Sequence, residues 1–346
     1  MTIGLTLGKY APLHRGHQMV IEKAISEMDY VIVMIYDSPE TTSCPLLVRA
    51  NWIRKLYPTV EIIEAWDGPT IVGNTPEIKK MNEDYILKIL AGRKITHFYS
   101  SEFYGDHVSA ALGAIDRRID PERRLIPVSG TVIRQNLYEN RMYLNPIVYS
   151  DLITKVVFLG APSTGKTSLT EKIAEEYSTV YVPEYGREYW EKHHIERRLS
   201  LMQLVEIANG HRNIEEEKLC DANKYLFIDT DATTTHMFSL YYHGTSHPHL
   251  VEMANEALQR YDLFFLCEDD IPYSDTWDRS GEVNRTIFQK QIYADLLWRK
   301  IPFISVKGPL DERVTFIKTV LNDFDKFNSI GNNFTERIRN NKWERQ

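Results

Sequence analysis

The stretch KVVFLGAPSTGKTS, residues 155–168, constrains the chain around it more than any other. Its first five residues are a continuous apolar run, the pattern of a parallel strand covered on both faces. The glycines that follow break the strand, and residues 169–177 return apolar side chains at helical spacing. With a further apolar run at 180–182, this is a βαβ unit, and such units build helix-covered parallel sheets. The same succession opens the chain. Residues 3–7 read as a short strand and GKYAPLHRGHQ as the turn. Met19, Val20, Ile21, Ala24 and Ile25 then predict a helix over 18–28, and YVIVMIY at 30–36 is again a buried strand.

Two such beginnings in 346 residues predict two α/β domains, each a parallel sheet with flanking helices. In the first, strands are expected at 61–65 and 97–100 and helices at 47–56 and 76–90. In the second, strands are expected at 225–228, 263–267 and 302–306. Pro146 and the loss of periodicity between 141 and 151 put the boundary near 150. The expected domains are therefore 1–150 and 151–330, with a tail at 331–346 rich in Asn, Arg and Glu.

A formal net charge of −7 argues against a general nucleic-acid-binding surface. Cys44, Cys220 and Cys267 lie far apart in the sequence without metal-ligand spacing, as in a protein of a reducing compartment. No apolar run reaches the length of about 18 residues that suggests a membrane span. The N-terminal residues show no basic segment leading into an apolar one. The expectation is a cytoplasmic enzyme.

GAPSTGKT fits G-x-x-x-x-G-K-[ST] without departure. Gly160 and Gly165 let backbone N–H groups approach phosphates, with Ser163, Thr164 and Ser168 in the same cradle. Lys166 reaches the β- and γ-phosphates of ATP, and the Thr167 hydroxyl can ligate Mg²⁺. The following helix points its positive end at the anion. Asp229 and Asp231 close the strand-like FIDTD as a candidate Mg²⁺ ligand and a substrate contact. Either Asp229 or Glu184, in PEYGRE beside Tyr185, can serve as the base for a hydroxyl acceptor. Arg279 is a candidate stabiliser of transferring phosphoryl charge. Tyr273, Asp275 and Trp277 nearby are candidate substrate contacts, the aromatic rings stacking on a flat heterocycle.

In the first domain, Gly8, Lys9 and Gly16 bring the backbone close to a nucleotide. His14 and His17, at the start of a helix, can donate to triphosphate oxygens. Metal ligation or simple helix capping are the other readings of two histidines at this spacing. HRGH followed by the later VSGTVIR resembles the H-x-G-H nucleotidyltransferase superfamily. That likeness implies phosphate contacts by Ser129, Thr131 and Arg134, a Rossmann-like fold and direct attack of an acceptor on the α-phosphate of ATP, with no enzyme nucleophile.

Such a domain ahead of a P-loop kinase resembles the bifunctional nicotinamide mononucleotide adenylyltransferase/ribosylnicotinamide kinase family of NadR type. HRGH, LVRANWIRKLYP, YSSE, VSGTVIR, GAPSTGKT, PEYGRE, FIDTDATTT and YHGTSHPHL carry the likeness. It implies phosphorylation of nicotinamide riboside to the mononucleotide (NMN) by the second domain. It also implies adenylylation of NMN to NAD by the first, with ATP and Mg²⁺ at both. An active kinase with a first domain that only binds or senses NAD or ATP is the alternative. Trp52 and Arg54 become candidate mononucleotide contacts. Many family members carry an N-terminal helix-turn-helix; this sequence begins at the strand before HRGH, so no DNA partner is expected. The family is associated with a nicotinamide riboside transporter, and closed homo-oligomers are common among such enzymes.

Overall fold

The computed structural model describes residues 1–71, 73–102, 104–194, 199–272 and 284–328. The chain divides into two compact units between Tyr149 and Ser150.

The first unit runs β1 (Ile3–Gly8), α1 (Arg15–Glu27), β2 (Tyr30–Tyr36), α2 (Leu46–Leu56), β3 (Glu61–Ala65), α3 (Pro76–Leu90), β4 (His97–Ser100), α4 (Gly105–Leu112), β5 (Ile115–Arg118) and α5 (Gly130–Gln135). A last helix, α6 (Pro146–Leu152), crosses the division. The strands pair in parallel in the order β3-β2-β1-β4-β5. Leu5, Ile32, Met34 and Phe98 are wholly buried in its core. After β3 the chain crosses to the far side of β1, so the order reverses between β1 and β4. A crevice at the carboxyl ends of strands at such a point is where open α/β sheets bind ligands.

The second unit runs β6 (Thr154–Leu159), α7 (Lys166–Glu176), β7 (Tyr181–Val182), α8 (Tyr185–His193), α9 (Leu201–Leu219), β8 (Tyr225–Asp229), α10 (Ala232–His243), α11 (Pro248–Asn255), α12 (Ala257–Arg260), β9 (Leu263–Cys267), α13 (Arg285–Trp298), β10 (Ile304–Val306) and α14 (Leu310–Asp323). Its strands are also all parallel, in the order β10-β9-β6-β8-β7. Val156, Phe158, Phe227 and Phe265 stack through one core face. A second cluster, including Leu204, Ile207, Leu250 and Met253, joins α8 to α11 beside the sheet. No helix among the described residues is long and apolar enough to cross a membrane.

Candidate active sites

In the first unit, a cavity of about 520 Å³ opens at the carboxyl end of β1. Gly8, Lys9, His17, Ser129, Thr131 and Arg134 all line it. Residues more than a hundred positions apart meet because α5 begins against the loop after β1. A Cβ at Gly130 would stand 2.9 Å from the Ala11 carbonyl oxygen, so glycine permits that approach. Arg134 donates to the same carbonyl, and its Nη2 donates to Thr131 Oγ1 at 3.2 Å. Ser129 caps α5, accepting from the Val132 N–H at 3.3 Å.

His14 and Gly16 sit behind this wall, at the start of α1. Helix α1 begins at Arg15, earlier than the apolar spacing indicates, because His14 supplies the cap. His14 Nδ1 accepts from the Gly16 N–H at 3.1 Å, and the His14 N–H donates to His17 Nδ1 at 3.5 Å. The two rings stack with centroids 3.7 Å apart. Burial, then the charge of Arg123, lowers His14 to about 4. Burial, then His14, holds His17 well below the ordinary histidine value. Both rings are therefore neutral at pH 7. With Nδ1 accepting, the His14 proton resides on Nε2, which makes that nitrogen a donor.

Helix α2 places two of the candidate residues away from the cavity. Trp52 is wholly buried and Arg54 turns outward to Glu64 and to Asn51 Oδ1 at 2.9 Å; neither lines the cavity. The helical period instead points Arg49 inward. This wholly buried guanidinium donates to the carbonyls of Cys44 and Tyr36, each at 2.9 Å, and to that of Lys9. It fixes the exits of β1 and β2. Arg123, paired with Glu102 at 2.7 Å, lines the cavity and, like Lys79, is a cation that sequence reasoning missed. Lys9 is paired with Glu40 at 2.6 Å.

In the second unit, a cavity of about 310 Å³ starts at the phosphate loop, lined by Gly160, Ser163, Gly165, Lys166, Thr167 and Ser168. Gly160 has φ of 141°, and a Cβ there would lie 2.5 Å from the Cys267 carbonyl oxygen. Thr164 is buried below the loop, its hydroxyl donating to the Ala161 carbonyl at 2.8 Å, and supports the cradle rather than lining it. Lys166 Nζ donates to the same carbonyl at 3.0 Å. Two side chains brace the loop from outside. Gln289 accepts from the Ala161 N–H at 2.8 Å and donates to the Cys267 carbonyl at 3.1 Å. Arg313 donates to the carbonyls of Thr164 and Gly308, each at 2.7 Å.

The Thr167 hydroxyl donates to Asp229 Oδ2 at 2.5 Å. Asp229 is wholly buried, and its Oδ1 has no hydrogen-bond partner among the described residues. Burial, then the charge of Glu184, pushes its carboxyl up. No cluster of three or more His, Cys, Asp or Glu able to hold a metal occurs among the described residues. Mg²⁺ needs none: it is held by one or two carboxylates with phosphate and water oxygens. The orphaned Asp229 oxygen beside the Thr167 hydroxyl is a hard-oxygen pair that fits it.

Glu184 lines the cavity and faces Arg187 at 3.8 Å. Asp231 also lines it, as the N-cap of α10. Tyr185 does not; its ring packs over Gly210 of α9, where a Cβ would approach it to 2.3 Å. The far wall is Trp190, Phe238 and Tyr242, with Leu204, Ile207 and His211 from the α9 side. Sequence reasoning missed this wall, although Phe238 and Tyr242 stand four apart on α10. Tyr273, Asp275, Trp277 and Arg279 lie outside the described residues.

Both units thus place a glycine-containing turn and a helix N-terminus at the carboxyl end of the central strand of a parallel sheet, the place where open α/β sheets bind nucleotides. A family model described as an AAA domain matches residues 155–313. The trifunctional NAD biosynthesis/regulator protein NadR of Salmonella typhimurium is 31% identical over 332 residues, covering 88% of this chain and 78% of that protein. Its Escherichia coli counterpart is 30% identical over 329 residues, covering 88% and 79%. A crystal structure of NadR in complex with NAD and AMP-PNP superposes with a TM-score of 0.55 at 21% identity, covering 92% of this chain and 95% of that one. Another, in complex with NR, gives 0.53 at 21%, covering 89% of each. The chain belongs to the NadR-type family of bifunctional nicotinamide mononucleotide adenylyltransferase/ribosylnicotinamide kinases.

Proposed function

We propose that this chain makes NAD in two ATP-dependent steps, one in each unit. The observation that carries the reading is the pair of separate cavities, each built on its own phosphate-binding turn, in a chain of this family. In the second unit, the 5′-hydroxyl oxygen of nicotinamide riboside attacks the γ-phosphorus of ATP, and the bond to the β-phosphate oxygen breaks. Lys166 and the loop N–H groups hold the phosphates. Thr167 and Asp229 would hold Mg²⁺, which would neutralise phosphate charge there. Asp229 already holds Thr167, whereas Glu184 faces the open cavity, and this division favours Glu184 as the group that takes the hydroxyl proton. Trp190, Phe238 and Tyr242 offer aromatic faces to the cationic pyridinium ring.

In the first unit, a phosphate oxygen of the mononucleotide attacks the α-phosphorus of a second ATP and pyrophosphate leaves. His17, Arg134, Thr131 and the α1 N-terminus position the triphosphate and offset developing charge. The neutral His14 ring donates from Nε2 and, through its cap, fixes His17. NAD is the product, and no enzyme nucleophile takes part. Assay of the two half-reactions in single variants tests the reading. Lys166→Ala should abolish mononucleotide formation and leave adenylyl transfer largely intact. Loss of both activities in a folded Lys166→Ala chain would contradict independent sites.

A further inference from the structure

His211 of α9 is 5% exposed and lines the second unit's cavity, as does Thr230. The His211 Nε2 lies 3.2 Å from the Asp229 carbonyl oxygen. A carbonyl oxygen only accepts, so Nε2 carries the proton and donates. That carbonyl lies past the end of the neighbouring strand. Strand β7 stops at Val182, opposite Ile228, and the next residue, Pro183, has no N–H to offer. The other end of the same peptide group, the Thr230 N–H, donates to the Phe158 carbonyl of β6 at 3.0 Å. The peptide group between Asp229 and Thr230 is thus pinned on both sides, by β6 and by His211. Thr230 has φ of 67°, in the left-handed region that disfavours a β-branched residue. Such strain persists only where its surroundings over-determine it, and it gathers at functional sites.

What this turn carries is the carboxylate at the phosphate loop. Asp229 Oδ2 accepts from the Thr167 hydroxyl and Oδ1 is left open, the pair of oxygens that fits Mg²⁺. A peptide group free to rotate would let Thr230 relax out of its left-handed turn and shift the chain on which that carboxylate stands. Gly210, the residue before His211, gives the Tyr185 ring its place next to Glu184. Consecutive residues of α9 therefore hold the chain at both acids, Asp229 and Glu184. The rest of the α9 row at the cavity, Leu204 and Ile207, is apolar, so the imidazole is the one polar group this row contributes there.

Resting on the kinase reading of this cavity, we propose that His211 is a positioning residue for phosphoryl transfer: its Nε2–H fixes the Asp229–Thr230 peptide and so aims the Asp229 carboxylate, acting through Asp229 and not on the acceptor. Removing a hydrogen-bond partner that orients a metal-binding group lowers metal affinity or activity by about 10–100-fold. The test uses the full chain and Mn²⁺ as the probe, titrated by electron paramagnetic resonance with AMP-PNP present; the binding that Lys166→Ala abolishes is the second unit's. Kinase kinetics with Mg²⁺ are measured alongside. His211→Leu fills the space without a donor. It should weaken Mn²⁺ binding and lower kcat, each by about 10-fold or more, and leave KM for nicotinamide riboside within about 3-fold of wild type. His211→Gln, whose Nε2–H can reach the same carbonyl, should regain most of both losses. His211→Asn, whose shorter amide falls short of it, should behave as His211→Leu does and serves where that variant fails to fold. Wild-type Mn²⁺ affinity in a folded variant without the donor, equal losses with glutamine and leucine, or a rise in KM for the riboside alone would each overturn the proposal. No phosphorylation of the riboside by the wild-type chain would instead overturn the kinase reading, and this inference with it.

Discussion

The Asp231 carboxyl is raised by burial to about 6, while an unfolded aspartate titrates near 4. Between those values the folded state holds the proton more tightly, so this residue's contribution to stability falls as pH rises through the window and is least above it. Asp231→Asn should therefore stabilise the second unit at pH 7.5 by roughly 2–3 kcal/mol, shrinking to about 1 kcal/mol at pH 4.5. Denaturant unfolding at the two pH values reads this directly, and an equal effect at both would refute it. His14 has the opposite sign. Its folded value of about 4 lies below the unfolded 6.5. Its contribution is present in full above pH 6.5 and is lost as pH falls toward 4. His14→Asn, which retains a capping side chain, should flatten that slope in the first unit. These residues also mark what a sequence exposes. HRGH and GAPSTGKT stand out in the sequence because a phosphate-binding turn, the role proposed for both, is built from contiguous backbone and its nearest side chains. Which α2 side chains turn inward, Arg49 and Trp52 rather than Arg54, depends on where the helix packs. Tyr185 likewise leaves the cavity because Gly210, distant in sequence, gives its ring a place.

At the level of elements, the phosphate loop is shaped by helices far along the chain. Gln289 of α13 and Arg313 of α14 hold the Ala161 N–H and the Thr164 carbonyl. Gln289→Ala would leave a buried N–H unpaired and free the Cys267 carbonyl. We expect KM for ATP to rise about 10-fold, the equivalent of one charge-neutral bond lost, with a smaller change in kcat. Steady-state kinetics with ATP varied decides this; an unchanged KM would mean the loop holds its shape unaided. The order of the strands was readable from the apolar runs, apart from β5, whose IDRR carries no apolar run, whereas the helices after α7 were not read. The bracing was not, because a glutamine or an arginine on an amphipathic helix has no sequence signal for the carbonyl it will meet.

At the scale of the whole molecule, the two parallel sheets repeat one solution: the unit's first strand lies at the centre, and its exit opens on the unit's cavity. Each unit's cavity is lined by its own residues, so the activities should separate. His17→Ala should lower adenylyl transfer by about 100-fold or more while the kinase step persists. Loss of both steps in a folded His17→Ala chain would count against that separation. The most direct test of the account is to incubate the purified chain with ATP, Mg²⁺ and nicotinamide riboside alone and resolve the products by mass. The account predicts NAD, with pyrophosphate and ADP. Accumulation of the mononucleotide without NAD would contradict catalysis by the first unit, and the absence of both products would contradict the assignment of the acceptor.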